Sequence, residues 1–253
     1  MSETVFFHGL ITAWFLLAGA IFILLLFFAA PYGRYNRGGW GPAIGSRAGW
    51  VIMEAVSPTV FSICFILGDN VISITSLAFL AMWLFHYVYR AFVYPLQMHS
   101  YGRTMPLAIV GMGMLFNTVN AYLNGRYIYT FADKYSNQWL ADPRFIAGLA
   151  LFIVGLVINR RSDRILRNLR RPGEVGYRIP YGELYRWVSC PNYLGEVVIW
   201  TGWALATWSL AGLAFAVWTA ANLVPRARRH HCWYQQNFPD YPSERKALLP
   251  GLW

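Results

Sequence analysis

Three groups of polar residues recur at one-turn spacing in a chain that is otherwise strongly apolar. Asn159, Asp163 and Arg170 are offset by 4 and 11 residues, so on a helix they fall within about 40° of one another. Asn192 and Glu196 are four apart, and Arg226, His230 and Tyr234 repeat that step. One such stripe is ordinarily a solvated helix end with snorkelling arginine. Three of them, mixing amides, carboxylates, an imidazole and a phenol, point instead to a polar cavity. An arginine-rich cavity suits a phosphorylated ligand, because guanidinium groups hold phosphate oxygens in fixed geometry.

A second constellation lies earlier. Glu54 sits in the apolar run V-I-M-E-A-V, and His86, Tyr87, Tyr89 and Arg90 form H-Y-V-Y-R. A carboxyl group at membrane depth is costly unless it lines a cavity or is hydrogen-bonded. Glu54 read alone can be a neutral acid locking two helices, and Tyr87 read alone can be interfacial belt. On adjacent helices the two make a donor pair able to grip and polarise a carbonyl oxygen. Other chemistries find no support. Gly39, Gly41 and Gly45 approach a dinucleotide fingerprint, but no strand is expected before them, and no P-loop is present. His230 and His231 are adjacent and point about 100° apart on a helix, so no metal site is expected with Cys232. Cys64, Cys190 and Cys232 form no C-x-x-C pair.

The elements that must position these residues are membrane helices. Of 253 residues, 57% are hydrophobic, 18% aromatic and only 13% charged. A soluble domain carries about a quarter charged residues. Disorder and a small disulfide scaffold are both excluded. The net charge of +10 comes from 19 Arg and 2 Lys against 11 acids. Nucleic acid is not an expected partner, because the arginines lie in short loops between apolar runs. A spanning helix needs about 20 apolar residues. Seven spans are predicted, at about 6–30, 49–68, 71–94, 105–125, 145–159, 187–208 and 211–230. The last two come from a run with Glu196 as its one charge, too long for a single span; a turn at Ser209, Leu210, Ala211 and Gly212 divides it. One long tilted helix there would give six.

Loop charges set the orientation. Arg34, Arg37 and Arg47, then Arg90 and Arg103, then eight arginines from Arg160 to Arg186, and finally the basic tail all fall on one side. The N-terminus is expected outside and the C-terminus in the cytoplasm, which requires an odd number of spans. With only Glu3 before the first run, no cleaved signal peptide is expected. The predicted fold is an all-α integral membrane protein, a seven-transmembrane-helix bundle forming a single domain over 1–253.

Four stretches carry a family resemblance: N-R-R-S-D-R-I-L-R-N-L-R-R-P-G-E-V-G-Y-R-I-P at 159–180, N-Y-L-G-E at 192–196 followed by A-L-A-T-W-S-L, F-P-D-Y-P-S-E-R-K-A-L-L-P at 238–250, and H-Y-V-Y-R-A-F-V-Y-P-L at 86–96. With these the chain closely resembles the steroid 5-alpha-reductases, integral membrane enzymes that use NADPH. The resemblance covers essentially the whole chain and is weakest in the first segment. It implies a seven-helix bundle with the cofactor inside. It implies cofactor contacts from Asn159, Asp163, Arg170, Tyr177, Asn192, Glu196, Arg226, His230 and Tyr234, and also from Tyr32, Arg34, Trp50 and Arg103. It assigns the ketone grip to Glu54 and Tyr87, with Met53 and Phe116 beside the substrate. The family pattern often has Gln before this Glu, where this chain has Met53; steroid orientation or preference is what that departure touches.

The implied reaction is reduction of a 3-oxo-4-ene steroid, with hydride added at C5 and enolate charge on the 3-oxygen met by Tyr87 and a protonated Glu54. Steroid and membrane lipid are the expected partners, with no obligatory protein partner. The expected setting is a bacterial inner membrane, or the endoplasmic reticulum in a eukaryote. The alternatives are a polyprenol or enoyl-CoA reductase, an isoprenylcysteine-type methyltransferase using S-adenosylmethionine, and a non-catalytic sterol-binding protein.

Overall fold

The structure is a computed structural model that describes residues 2–29, 35, 39–98, 102–169 and 176–253. Each expected span overlaps at least one helix, with different ends. α1 is Glu3–Phe27, α2 Ser46–Ile66 and α3 Ile74–Val88. A π-helical turn at Tyr89–Val93 leads from α3 into the short α4, Tyr94–Gln97. α5 is Leu107–Arg126, α6 Pro143–Asn168, α7 Pro191–Thr207 and α8 Leu210–Asn237. Among the described residues five segments are long and apolar enough to cross a membrane: α1, α2, α3 through α4, α6 and α8. The chain is therefore a multi-pass, helical membrane protein. α5 is diluted by Asn117, Asn120, Asn124 and Arg126, and α7 has only 17 residues.

The long apolar run from α7 into α8 is two helices, not one. Trp208 takes a left-handed φ of 45° and ends α7. Ser209 then caps α8, its Oγ accepting from the Gly212 amide at 2.9 Å. The predicted turn is thus displaced by about one residue toward the N-terminus, because Ser209 serves as a cap and Gly212 lies inside the helix.

By contact the chain divides into two compact units. The first comprises Met1–Ile11 and Ala30–Phe145. In it, α2 and α3 pack through the stacked rings of Phe61 and Trp83, 4.3 Å apart and fully buried. α2 and α5 come close where α5 has glycine: a Cβ on Gly125 would lie 2.6 Å from the Cys64 Cβ. Ser73 and Ser76 form a capping box that starts α3. Two three-residue strands, β1 (Ala43–Gly45) and β2 (Thr104–Pro106), pair antiparallel with Ile44 opposite Met105. This ribbon joins the starts of α2 and α5 and was not foreseen in the sequence. Arg126 receives Glu3 in a two-point ion pair at 2.8 and 2.7 Å and also donates to the Leu67 carbonyl beyond α2.

The second unit comprises Thr12–Ala29 and Ile146–Trp253. Trp14 of α1 packs on Trp218 of α8 and receives its indole hydrogen bond on the main chain at 2.9 Å. Arg229 of α8 donates to the Leu25 and Leu26 carbonyls near the end of α1.

Candidate functional site

The polar residues of the second unit are brought together by glycine. Gly148 and Gly155 of α6 face Gly202 and Gly195 of α7, both pairs spaced seven residues apart. A Cβ on Gly195 would lie 2.6 Å from the Asn159 amide nitrogen, and one on Gly155 2.6 Å from that of Ile199. Without side chains between them the two backbones nearly touch, the small-residue packing that membrane helices use. Asn159 then reaches across. Its Nδ2 donates to the Asn192 carbonyl at 3.1 Å and to Glu196 Oε1 at 3.2 Å. Asn192 Nδ2 donates back to Asp163 Oδ1 at 3.3 Å, and the Trp200 indole donates to Glu196 Oε2 at 3.2 Å. Asn159 and Asp163 are each 3% exposed. The four-residue steps predicted for both helices are therefore realised, because α6 continues past its apolar run to Asn168.

α8 adds the third stripe. Pro225 interrupts the helical hydrogen-bond ladder one residue before Arg226, whose charged side chain is buried. The Arg226 guanidinium lies 5.9 Å from the Tyr193 ring centre, and the Tyr193 hydroxyl contacts His230 Nε2 at 3.1 Å. Tyr234 is buried and packs beside Trp233, which in turn meets the ring of Tyr177 at 5.0 Å. Just before α7 in the chain, the buried Tyr185 donates to the Ser162 carbonyl at 3.4 Å. Burial first, and the Asp163 carboxylate next, hold the Tyr185 phenol well above its usual range, so it stays a donor. Together these residues offer what a phosphorylated nucleotide asks for: a buried cation for phosphate, amides for a carboxamide, and carboxylates for hydroxyl groups.

The first unit holds the other constellation. Glu54 on α2 is buried, and Arg90 of the π-turn approaches its Oε1 at 3.9 Å. The Arg90 guanidinium lies over the rings of both Trp50 and Tyr94, at 5.0 and 5.1 Å. Trp50 donates its indole proton to the Arg90 carbonyl at 3.1 Å. Tyr87 is buried three residues before Arg90, its ring packed on Trp83 and His86 at 5.1 Å each. π-helical turns recur at functional sites because they re-aim side chains out of the regular ladder. Here the turn begins two residues after Tyr87 and carries Arg90 to Glu54. Met53, one residue before Glu54, packs its thioether over Gly113 of α5, and its carbonyl accepts from Asn117 Nδ2 at 2.8 Å. Phe116 is half-buried on α5.

Not every predicted residue joins a cluster. Tyr32, Arg34 and Arg170 lie outside the described residues. Arg103 has an exposed side chain, and its carbonyl accepts from the Ser46 amide at 2.9 Å beside the ribbon. The buried amides Asn117, Asn120 and Asn124 were not singled out from sequence. Their spacing of three and four residues in an apolar helix was the available signal. Tyr193, within the N-Y-L-G-E stretch, was also passed over. Among the described residues no cluster of three or more His, Cys, Asp or Glu is placed to hold a metal ion.

Comparison with known proteins gives one consistent result. Residues 103–253 match the family described as 3-oxo-5-alpha-steroid 4-dehydrogenase. A steroid 5-alpha-reductase of Gossypium hirsutum is 40% identical over 258 aligned positions, covering 100% of this chain and 99% of its own. A 3-oxo-5-alpha-steroid 4-dehydrogenase 1 of Bos taurus is 43% identical, with 91% of each chain covered. A steroid 5-alpha-reductase of Arabidopsis thaliana is 38% identical, covering 91% of this chain and 90% of its own.

Proposed function

Since the chain belongs to the 3-oxo-5-alpha-steroid 4-dehydrogenase family and is an oxidoreductase, we propose that it reduces the C4–C5 double bond of 3-oxo-4-ene steroids with NADPH, giving 5-alpha-3-oxosteroids. The structural observation that carries the cofactor part is the interlocked set Asn159, Glu196, Asn192 and Asp163 beside the buried Arg226. Such polar groups are costly at the depth of a membrane helix, and a polar ligand gives them a use. Arg226, with Arg170 and Arg34 outside the described residues, would take the phosphates. Asn159, Asp163, Asn192, Glu196, His230, Tyr234 and Tyr177 would take the sugar and carboxamide groups; Tyr32, Trp50 and Arg103 are the further cofactor contacts that the resemblance implies.

NADPH, when bound, supplies hydride to the β-carbon of the enone, steroid C5. The chain's own task is at the other end of the conjugated system, where negative charge builds on the 3-oxygen. Tyr87 donates one hydrogen bond there. Glu54 donates a second through a protonated carboxyl oxygen, with the Arg90 guanidinium 3.9 Å from its Oε1. Donors aimed at developing charge in a water-poor site are worth several-fold more than in water. Met53 and Phe116 would line the steroid, and C4 takes its proton from water. We further infer a single reductase domain with seven spans, with α5 and α7 completing the five apolar ones. The N-terminus lies outside and the C-terminus in the cytoplasm, in a bacterial inner membrane or its eukaryotic counterpart, the endoplasmic reticulum.

The test is NADPH consumption by detergent-purified protein with testosterone or progesterone, the product resolved by mass spectrometry. A product heavier by two hydrogens with 5-alpha stereochemistry is expected. NADPH binding without steroid turnover would redirect the reading to another unsaturated lipid. Steroid binding with no NADPH binding would replace the enzyme with a sterol-binding protein.

A further inference from the structure

Beyond α8 the chain turns back and is held by buried contacts. The stretch around Lys246 pairs with the approach to α7: Ser189 and Cys190 donate their amides to the Lys246 and Ala247 carbonyls at 2.9 and 3.2 Å, and Lys246 donates to Trp187 at 2.9 Å. Arg245 is 2% exposed and donates to the Pro180 carbonyl at 3.0 Å, in the segment that carries Tyr177. Tyr241 stands at the centre. Its ring lies parallel to that of Tyr234, 5.2 Å away and 8° from coplanar. Its hydroxyl contacts Ser189 Oγ at 2.6 Å, and Ser189 in turn contacts His231 Nδ1 at 2.7 Å. The Arg245 guanidinium sits 5.2 Å over the same ring. Burial raises the Tyr241 phenol above its ordinary value, so the hydroxyl remains available to this network.

We propose that Tyr241 is a positioning residue for the candidate cofactor site. It touches no ligand in this reading. It fixes the ring of Tyr234 by stacking, and it ties the entry of α7, three residues before Asn192, to the end of α8 through Ser189. One side chain thereby sets the register of two helices that each present candidate cofactor ligands. The proposal rests on the reading of Tyr234 and Asn192 as cofactor contacts, so the experiment includes a variant that tests that reading by itself.

The full-length protein in detergent is titrated with NADPH by fluorescence, with steroid KM, turnover at saturating NADPH and melting temperature measured alongside. Tyr241→Leu removes both ring and hydroxyl, and its NADPH Kd should rise about tenfold. Tyr241→Phe keeps the ring and loses the hydroxyl, and its Kd should rise about threefold. Steroid KM and saturated turnover should stay within about twofold of wild type, because steroid contacts are untouched. A lowered melting temperature with an unchanged Kd in both variants would make Tyr241 merely structural and overturn the proposal. If Tyr241→Leu does not accumulate folded, Tyr241→Phe decides, and an unchanged Kd there overturns it. Tyr234→Ala separates the two levels. Weaker NADPH binding in Tyr234→Ala with none in the Tyr241 variants rejects positioning alone. No change in Tyr234→Ala rejects the cofactor assignment of Tyr234 and takes the positioning role with it.

Discussion

Replacing Gly195 with alanine places a methyl carbon 2.6 Å from the Asn159 amide nitrogen and 2.8 Å from its Cα and Cβ. All three atoms are helix backbone or the atom next to it, so no flexible side chain can swing away. Ordinary contact begins near 3.4 Å, and α6 and α7 must therefore part by about 0.8 Å at this point. The Asn159 bonds to Asn192 and Glu196, now 3.1 and 3.2 Å, would pass beyond hydrogen-bonding range. Overpacking costs about 1–3 kcal/mol and two lost hydrogen bonds about 1 kcal/mol each, offset by about 1 kcal/mol of helix propensity. The net loss is about 2–4 kcal/mol, a fall in melting temperature of about 5–10 °C for a chain of this size. NADPH affinity should drop at least about tenfold, because the amide that orients Glu196 is displaced. The assay is thermal unfolding in detergent together with NADPH titration. Gly111→Ala on α5 is the control: its Cβ would meet nothing within 4 Å, and it should be neutral or slightly stabilising. Wild-type melting and wild-type NADPH affinity in Gly195→Ala would refute the argument that glycine packing builds this site.

Three further expectations follow from the same geometry. Tyr87→Phe should lower turnover by about 10²-fold while NADPH affinity is nearly kept; a large loss of cofactor binding instead would remove Tyr87 from the ketone grip. Arg226→Ala should weaken NADPH by more than tenfold and steroid KM by less than about threefold, since a buried guanidinium paired with phosphate is strong. Equal losses for both ligands would speak against that assignment. Ser209→Ala removes the cap of α8 and should cost about 1 kcal/mol, read as a small fall in melting temperature with kinetics unchanged.

The helices were legible because their causes are local. Length and apolar content alone place α1 and α2 within three residues, whereas α6 and α8 run on nine and seven residues past their expected ends, because polar residues continue those helices beyond the apolar run. The stripes on α6, α7 and α8 were legible for the same reason: a one-turn step puts Asn159 and Asp163, or Asn192 and Glu196, on one face whatever that face meets. The partners were not legible. Nothing near Glu54 in the chain names Arg90 as its neighbour, because that approach depends on a π-helical turn whose extra residue no hydrophobic period reports. The pairing of Gly195 with Asn159 likewise joins residues 36 positions apart.

The sequence by itself determined a helical, multi-pass membrane protein of the steroid reductase family, and it marked the polar residues that such a membrane protein keeps only for use. Those properties depend on composition and one-turn spacing, which survive any arrangement of the helices. The tertiary structure decided which stripes touch, through glycines that let α6 and α7 close to backbone contact. It also decided that the tail folds back so that Tyr241 lies flat on Tyr234. Contacts of that kind depend on distances of a few ångströms between segments far apart in the chain, and only the packed backbone sets them.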